Sequence, residues 1–260
     1  MSTSGVRDRP GDFVQSLERG LSVLRVFSAD HATLTLSDVA RLAGLTRATA
    51  RRILLTLESL GYVSSDARLF ELTPKVLDLG YAYVSSLKVA DIAQPFMEAL
   101  SERVHESVSA SVLDGPDIIY VARVPTKRIM TVSLAIGSRL PAEMTSMGRV
   151  LLSELPEAQL DAFLDTAQLR PRTAYTITTT EALRAEIGRV RESGWALLDQ
   201  ELEVGVRSVA TALRDSRGRA VAAINVSGHA GRVTLKELRG EFLQLLLATA
   251  ADISAQLAKR

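Results

Sequence analysis

From Ser16 onward, apolar residues recur at helical spacing: Leu17, Leu21, Leu24 and Phe27 lie four, three and three positions apart, behind Ser16 as a candidate cap. A polar break from Ser28 to Thr35 separates this helix from a short second one, in which Ser37 can cap a segment carrying Val39, Leu42 and Ala43, with Gly44 as its stop. Thr46 can cap a third helix with Ala50, Ile53, Leu54, Leu57 and Leu60 on one face and Gly61 at its end. Three helices this short must share one core. Residues 62 to 72, YVSSDARLFEL, form two β-prone runs around a polar Ser-Asp-Ala-Arg tip, which predicts a hairpin. Thr73 and Pro74 then open another helix.

Helical patterning continues from Val76 to Val84 and from Val89 to about Val104, which predicts a helical connector. Beyond it the texture changes to the short strands and turns of an antiparallel sheet: SVSASVL, Asp114-Gly115-Pro116, DIIYVARV, and later MTVSLAI. A helix is expected from Ser146 to Glu154 and another from Thr180 to about Ser193. Strands follow near Trp195 to Leu198, Val209 to Leu213 and Ala220 to Val226, the last two joined by a turn at Asp215-Ser216-Arg217-Gly218. Thr234-Leu235-Lys236-Glu237 is a capping box that starts a final helix running to near Leu257. The expected organisation is a disordered tail over 1–12, a small helical head over 13–75, a helical linker over 76–90 and an α+β body over 91–260.

Composition narrows what this architecture can do. With 31 Lys+Arg against 30 Asp+Glu the chain is nearly neutral, so attraction to nucleic acid must be local. There is no cysteine, which removes disulfides and thiolate chemistry; the N-terminus lacks the apolar core of a signal peptide, and no stretch reaches the length of a membrane span. The cytoplasm is the expected compartment and no membrane is an expected partner. Asp199, Glu201 and Glu203 would share one strand face, but so would solvated carboxylates; the three histidines are scattered, and no nucleophile elbow, phosphate loop or zinc-binding helix motif is present. Neither catalysis, a metal nor a cofactor is expected, and an enzyme acting on a small acid is the least supported alternative.

The local charge sits in the third helix. Residues 36 to 55 hold Arg41, Arg47, Arg51 and Arg52 against Asp38 alone. Projected at 100° per residue, Ile53, Leu57 and Leu60 face the core while Ala48, Arg51, Arg52 and Ser59 face away. A short helix, a Gly-Leu-Thr turn, a second helix with outward arginines and a following hairpin make a winged helix-turn-helix. Such a helix can enter the DNA major groove, where Arg reads guanine and Thr or Ser reaches bases and phosphates. The candidate DNA-contacting residues are Ser37, Thr46, Arg47, Ala48, Thr49, Arg51 and Arg52, with Arg68 at the hairpin tip either touching DNA or simply solvated.

Several phrases together, SLERGLSVLRVF, LTLSDVARLAGLTRATARRILLTLESLGYV, FELTPKVLDLG, IGSRLPAEMTSMGRVLLSELP, GWALLDQELEVGVRSVATALRD and AAINVSG, resemble the IclR family of bacterial transcription regulators from Ser16 to Leu257. VPTKRIMTVSLAIGSRLPAEMTSMGRVLL is similar to the branch that controls protocatechuate and p-hydroxybenzoate breakdown through β-ketoadipate. The resemblance implies a winged helix-turn-helix joined by a helical connector to a GAF-like antiparallel-sheet effector domain. It also implies a dimer or dimer of dimers on a palindromic double-stranded operator, with RNA polymerase as a further partner, and a small aromatic or dicarboxylic acid as effector.

By position it assigns the effector site to Met144, Ser146, Met147, Gly148, Asp199, Ser208, Asn225 and Ser227. Free N–H groups at a helix start and nearby hydroxyls suit a carboxylate. Yet Ser146 could be only a cap, Met147 only core, and Asp199 the partner of Arg207, while Asn225 and Ser227 share a strand face that could simply be wet. Ser146-Met147-Gly148-Arg149 departs from the family's common Gly-Ala-Gly-Lys, which argues against a two-carbon ligand. A DNA-binding oligomer without any effector is the other alternative.

Overall fold

In the computed structural model the described residues are 12–28, 31–80, 88–126 and 134–259, and the chain divides into two compact units, one up to residue 83 and one from residue 84. The expected tail, apart from Asp12, and the connector between residues 81 and 87 lie outside the described residues.

The first unit packs α1 (Gln15–Arg25), α2 (Leu36–Leu42) and α3 (Arg47–Ser59) around Val23, Phe27, Val39, Ala50, Leu54 and Leu57. The inward stripe of α1 is Val23 and Phe27, and the expected Leu17 and Leu21 stand 61% and 49% exposed. The reason is length: so small a core reaches only the C-terminal half of α1, so the first turns overhang it. No side chain caps α1, which starts behind Val14 rather than Ser16. α3 is rotated slightly from the projection: Ala50, Leu54 and Leu57 are buried, and Leu60, at the fraying end, is 52% exposed.

The predicted hairpin is β2 (Val63–Asp66) and β3 (Leu69–Leu72), turning at Ala67 with φ 53°. The segment read as a polar break supplies a third strand, β1 (Thr33–Thr35), which pairs Leu34 with Phe70 along β3. Three residues with one buried side chain leave too little alternation to be seen in the sequence. Pro74–Val76 form a 3-10 turn, and the Thr73 hydroxyl donates to the Gly61 carbonyl rather than capping it.

The second unit is built on a six-stranded antiparallel sheet in the order β6-β5-β4-β9-β8-β7. Its strands are β4 (Ser107–Asp114), β5 (Asp117–Val124), β6 (Arg139–Pro141), β7 (Trp195–Asp199), β8 (Val206–Arg214) and β9 (Ala220–His229). One face packs on α4 (Lys88–Val104) and on the C-terminal helix, which opens with the predicted Thr234 capping box, passes through a π turn at Leu238–Phe242 and continues as α8 (Leu243–Ala258). The other face packs on α5 (Ser146–Ser153), α6 (Glu157–Thr166) and α7 (Thr180–Ser193). Most of the strand expected at residues 130–136 lies outside the described residues, and Leu134, Ala135 and Ile136 are not strand. α6 and β6 were not anticipated.

Antiparallel pairing with helices on both faces is what makes the strands so apolar, since few side chains meet water. One end of the α5 face is the exception, and it holds a cavity in which serines, an asparagine and an arginine share the wall with leucines and a valine.

Candidate DNA-reading face and effector cavity

In the first unit, α2 ends at Ala43 and the chain turns through Gly44, whose φ of 66° is the left-handed conformation glycine adopts without strain. The Leu45 N–H donates to the Ala40 carbonyl at 2.8 Å and closes the turn. Thr46 then caps α3, accepting from the Thr49 N–H at 3.2 Å, and its hydroxyl also meets that of Thr49 at 2.9 Å. Both hydroxyls therefore help to start the helix. Arg47, Ala48, Arg51 and Arg52 are exposed, and no hydrogen bond or ion pair engages the three guanidinium groups among the described residues.

Arg41 is different: it pairs with Asp38 at 3.3 Å, which removes it from the free positive charge. Ser37 does not cap α2. Thr35 does, because it still has extended backbone at the end of β1 and its hydroxyl reaches the Asp38 N–H; Ser37 sits exposed in the first turn. Hydrogen bonding to the Thr35 hydroxyl, with Arg41 beside it, holds the Asp38 carboxyl below its ordinary range. Arg68 is exposed beside Ala67 at the tip of the wing.

In the second unit, strand register builds the cavity floor. One cross-strand row runs Leu198, Ser208, Ser227, Ser107, and the next runs Ala210, Asn225, Ser109, Arg123. The lid is Met144, Thr145 and Ser146 at the start of α5, together with Glu201, Leu202 and Glu203 from the loop after β7. The enclosed space is about 60 Å³, several times the roughly 10–15 Å³ a single water needs. Among the described residues Ser146 Oγ and Asn225 Oδ1 have no hydrogen-bond partner, and both residues, almost wholly buried, line this cavity. Unpaired buried polar atoms are uncommon in folded proteins and call for an explanation. Tyr120 lines the same space, and burial pushes its phenol up to about 12 against the pull of the Arg123 guanidinium.

Of the residues expected at the effector site, Met144, Ser146, Ser208, Asn225 and Ser227 line the cavity. Asp199 does not; it points to the other side of β7 and pairs with Arg207 at 2.5 Å, while Arg207 also donates to the Val233 carbonyl at 2.9 Å. Alternation along the strand explains the correction, because Leu198 takes the cavity side and leaves Asp199 opposite. Met147 is core: it is fully buried and accepts from the Ser111 hydroxyl at 3.3 Å. Gly148 is also structural rather than lining. A Cβ there would fall 2.0 Å from the Ala142 carbonyl oxygen, so the glycine lets α5 lie against the preceding 3-10 turn, Ala142–Met144.

Gly148→Ala is expected to lower stability by roughly 3 kcal/mol, since backbone cannot move aside cheaply. Trp195, the chain's single tryptophan, reports the second unit by fluorescence in a denaturant titration; an unchanged midpoint would contradict this packing.

Residues missed in the sequence are the polar Ser107, Ser109, Tyr120, Arg123, Thr145, Glu201 and Glu203 and the apolar Leu134, Leu140, Leu198, Leu202 and Val206. The serines of SVSASVL alternate with apolar residues, a signal of one polar strand face that was available but read only as strand grammar. Glu201, singled out earlier only as one of three alternating carboxylates, accepts a two-pronged ion pair from Arg149 at 2.9 and 2.5 Å. The Arg149 Nε also donates to the Glu143 carbonyl at 2.9 Å, and burial pushes the Glu143 carboxyl above its usual range.

An exposed basic recognition helix with a wing, on a chain whose second unit encloses a cavity, defines a transcription regulator with a sensor domain. The family model for the bacterial transcriptional regulator IclR C-terminal domain matches residues 81–255, and that for the IclR helix-turn-helix domain matches residues 16–67. The chain belongs to the IclR family of transcription regulators.

It is 45% identical over 247 residues to the Pca regulon regulatory protein of Pseudomonas putida, covering 95% of this chain and 85% of that protein. A solved transcriptional regulator from Rhodococcus sp. RHA1 shares 53% identity at a TM-score of 0.84, covering 94% of this chain and 98% of that one. A double mutant of the PobR inducer-binding domain from Acinetobacter, in complex with 3-hydroxybenzoic acid, shares 31% identity at a TM-score of 0.60, covering 64% of this chain and 97% of that one. These families and relatives are regulators, not enzymes. Among the described residues no His, Asp and Glu cluster could hold a metal, and no helix is long and apolar enough to cross a membrane.

Proposed function

We propose that this protein regulates genes for the breakdown of aromatic acids, reading a palindromic operator through Arg47, Arg51 and Arg52 and taking a small aromatic or dicarboxylic acid in the cavity of its second unit. On this proposal the head is residues 13–75, the linker 76–90 and the effector domain 91–260, and the protein works in the cytoplasm. The observation that carries it is the pair of unpaired buried atoms, Ser146 Oγ and Asn225 Oδ1, on two residues that line one cavity. A body serving only to oligomerise would have no use for a buried polar recess whose groups await a partner. The relative named for the Pca regulon and the neighbour holding a hydroxybenzoic acid support the choice of ligand class.

Cavities that bind benzene are roughly 150 Å³, so a ring entering about 60 Å³ would widen this one. For the acid to act allosterically it must bind one arrangement of the heads better than the other, since equal affinity for both shifts nothing. Two heads on a palindrome require self-association. The exposed Val14, Leu17 and Leu21 at the start of α1 offer an apolar surface for a second copy. Where the operator lies relative to the RNA polymerase site decides between activation and repression.

The test is a footprint on the DNA upstream of the protein's own gene, with and without protocatechuate, p-hydroxybenzoate and β-ketoadipate. Protection of a palindrome that changes with one acid is the expected result; protection indifferent to all three would discard the ligand class.

A further inference from the structure

Arg123 reaches the cavity through an irregularity in the sheet. Along β4 and β5 the register is Ser109 opposite Arg123 and Ala110 opposite Ala122, but Ser111 stands opposite Tyr120, so Val121 is an extra residue. In a regular strand Tyr120 and Arg123, three apart, would point to opposite faces. The β-bulge re-aims one of them. Val121 and Ala122 both join the core on the α4 side, and Tyr120 and Arg123 both line the cavity.

Arg123 is the cavity's one basic lining residue among those described, is half-buried, and has no hydrogen bond or ion pair there. Of the two lining acids, Glu201 is already held by Arg149, and Glu203 lies partly exposed on the loop. In the same cross-strand row, Ser109 separates Arg123 from Asn225, whose Oδ1 lacks a donor. The two therefore sit two interstrand spacings apart, roughly 10 Å between backbones.

Resting on the effector proposal above, we infer that Arg123 is the specificity-determining anchor for the effector's carboxylate, and that the ligand's other polar group is received at the Asn225 end. A guanidinium presents paired N–H groups that match a carboxylate's two oxygens. Asn225 Oδ1, an acceptor, calls for a donor such as a ring hydroxyl. The bulge is thus a device that places one cation in an otherwise uncharged floor of serines.

The experiment is calorimetric titration of the full-length protein, Arg123→Gln and Arg123→Lys with p-hydroxybenzoate, protocatechuate and β-ketoadipate, and with the amide of whichever acid binds. Arg123→Gln is expected to weaken the acid by about 10- to 100-fold, with Lys retaining part of the affinity, while the amide binds the wild type and Arg123→Gln alike. Because Arg123 has no hydrogen-bond or ion-pair partner among the described residues, its removal strands no charge there, and an unchanged melting temperature verifies the fold. Equal affinity of wild type and Arg123→Gln for the acid overturns the anchor and leaves the effector proposal standing. Equal loss of acid and amide overturns it too, showing a wall that shapes rather than a charge that selects. If the wild type binds none of the three acids, the effector proposal falls and the anchor with it.

Discussion

Glu201→Ala should destabilise the second unit by about 3–5 kcal/mol, the cost of stranding a buried charge. Arg149 lies in α5 with its side chain 2% exposed, and Glu201 supplies two of the three acceptors it contacts. Truncation leaves the guanidinium with the Glu143 carbonyl as its one remaining hydrogen-bond acceptor among the described residues. The loop itself should stay in place, since the hydroxyls of Thr173 and Thr176 donate to the carbonyls of Gln200 and Glu201 at 2.7 Å. The loss is therefore electrostatic rather than a loop unravelling. Removing both charges, Arg149→Met with Glu201→Leu, should recover most of it, because a buried pair replaced by apolar groups is often neutral. Denaturant unfolding followed by Trp195 fluorescence measures both. A single mutant within about 1 kcal/mol of wild type would mean that the pair is solvated and contributes little.

Arg51→Ala combined with Arg52→Ala should weaken operator binding by roughly 100-fold or more, since each arginine reading a base edge is worth about 1–3 kcal/mol. Both side chains are exposed and have no internal partner among the described residues, so stability should not change, and a melting curve separates misfolding from lost contact. Salt titration distinguishes the two kinds of contact. If an arginine meets phosphate instead, the loss is uniform across sequences and the salt slope falls by about one per residue. Unchanged affinity at low salt would refute the assignment of α3 as the recognition helix.

The head was legible because each local signal agreed with the next: Gly44 for the turn, Thr46 for the cap, apolar positions at helical spacing, arginines opposite them. Errors there came from competing caps. Ser37 and Thr35 are both capable N-caps, and the choice fell to Thr35 because β1 pairs with β3 and holds its backbone extended. Leu17 looked like core on periodicity alone, but periodicity cannot say how far a neighbouring helix extends.

The cavity was legible in part. Ser146, Ser208, Asn225 and Ser227 were placed by family pattern, and Asp199 came from the same pattern yet belongs to the opposite strand face. Arg123 could not have been assigned, because strict alternation puts it opposite Tyr120 and only the bulge at Val121 brings them together.

By itself the sequence determined the helices of the head and their wing, the outward arginines and most helices and strands of the body, since these depend on residues near one another in the chain, while phrases from Ser16 to Leu257 together carried the family. Which serines share a floor, which carboxylate is spent on Arg149 and which cation faces the ligand were decided by tertiary structure. Those depend on strand register and on contacts between residues as far apart as Arg149 and Glu201, where a shift of one residue moves a side chain to the other face.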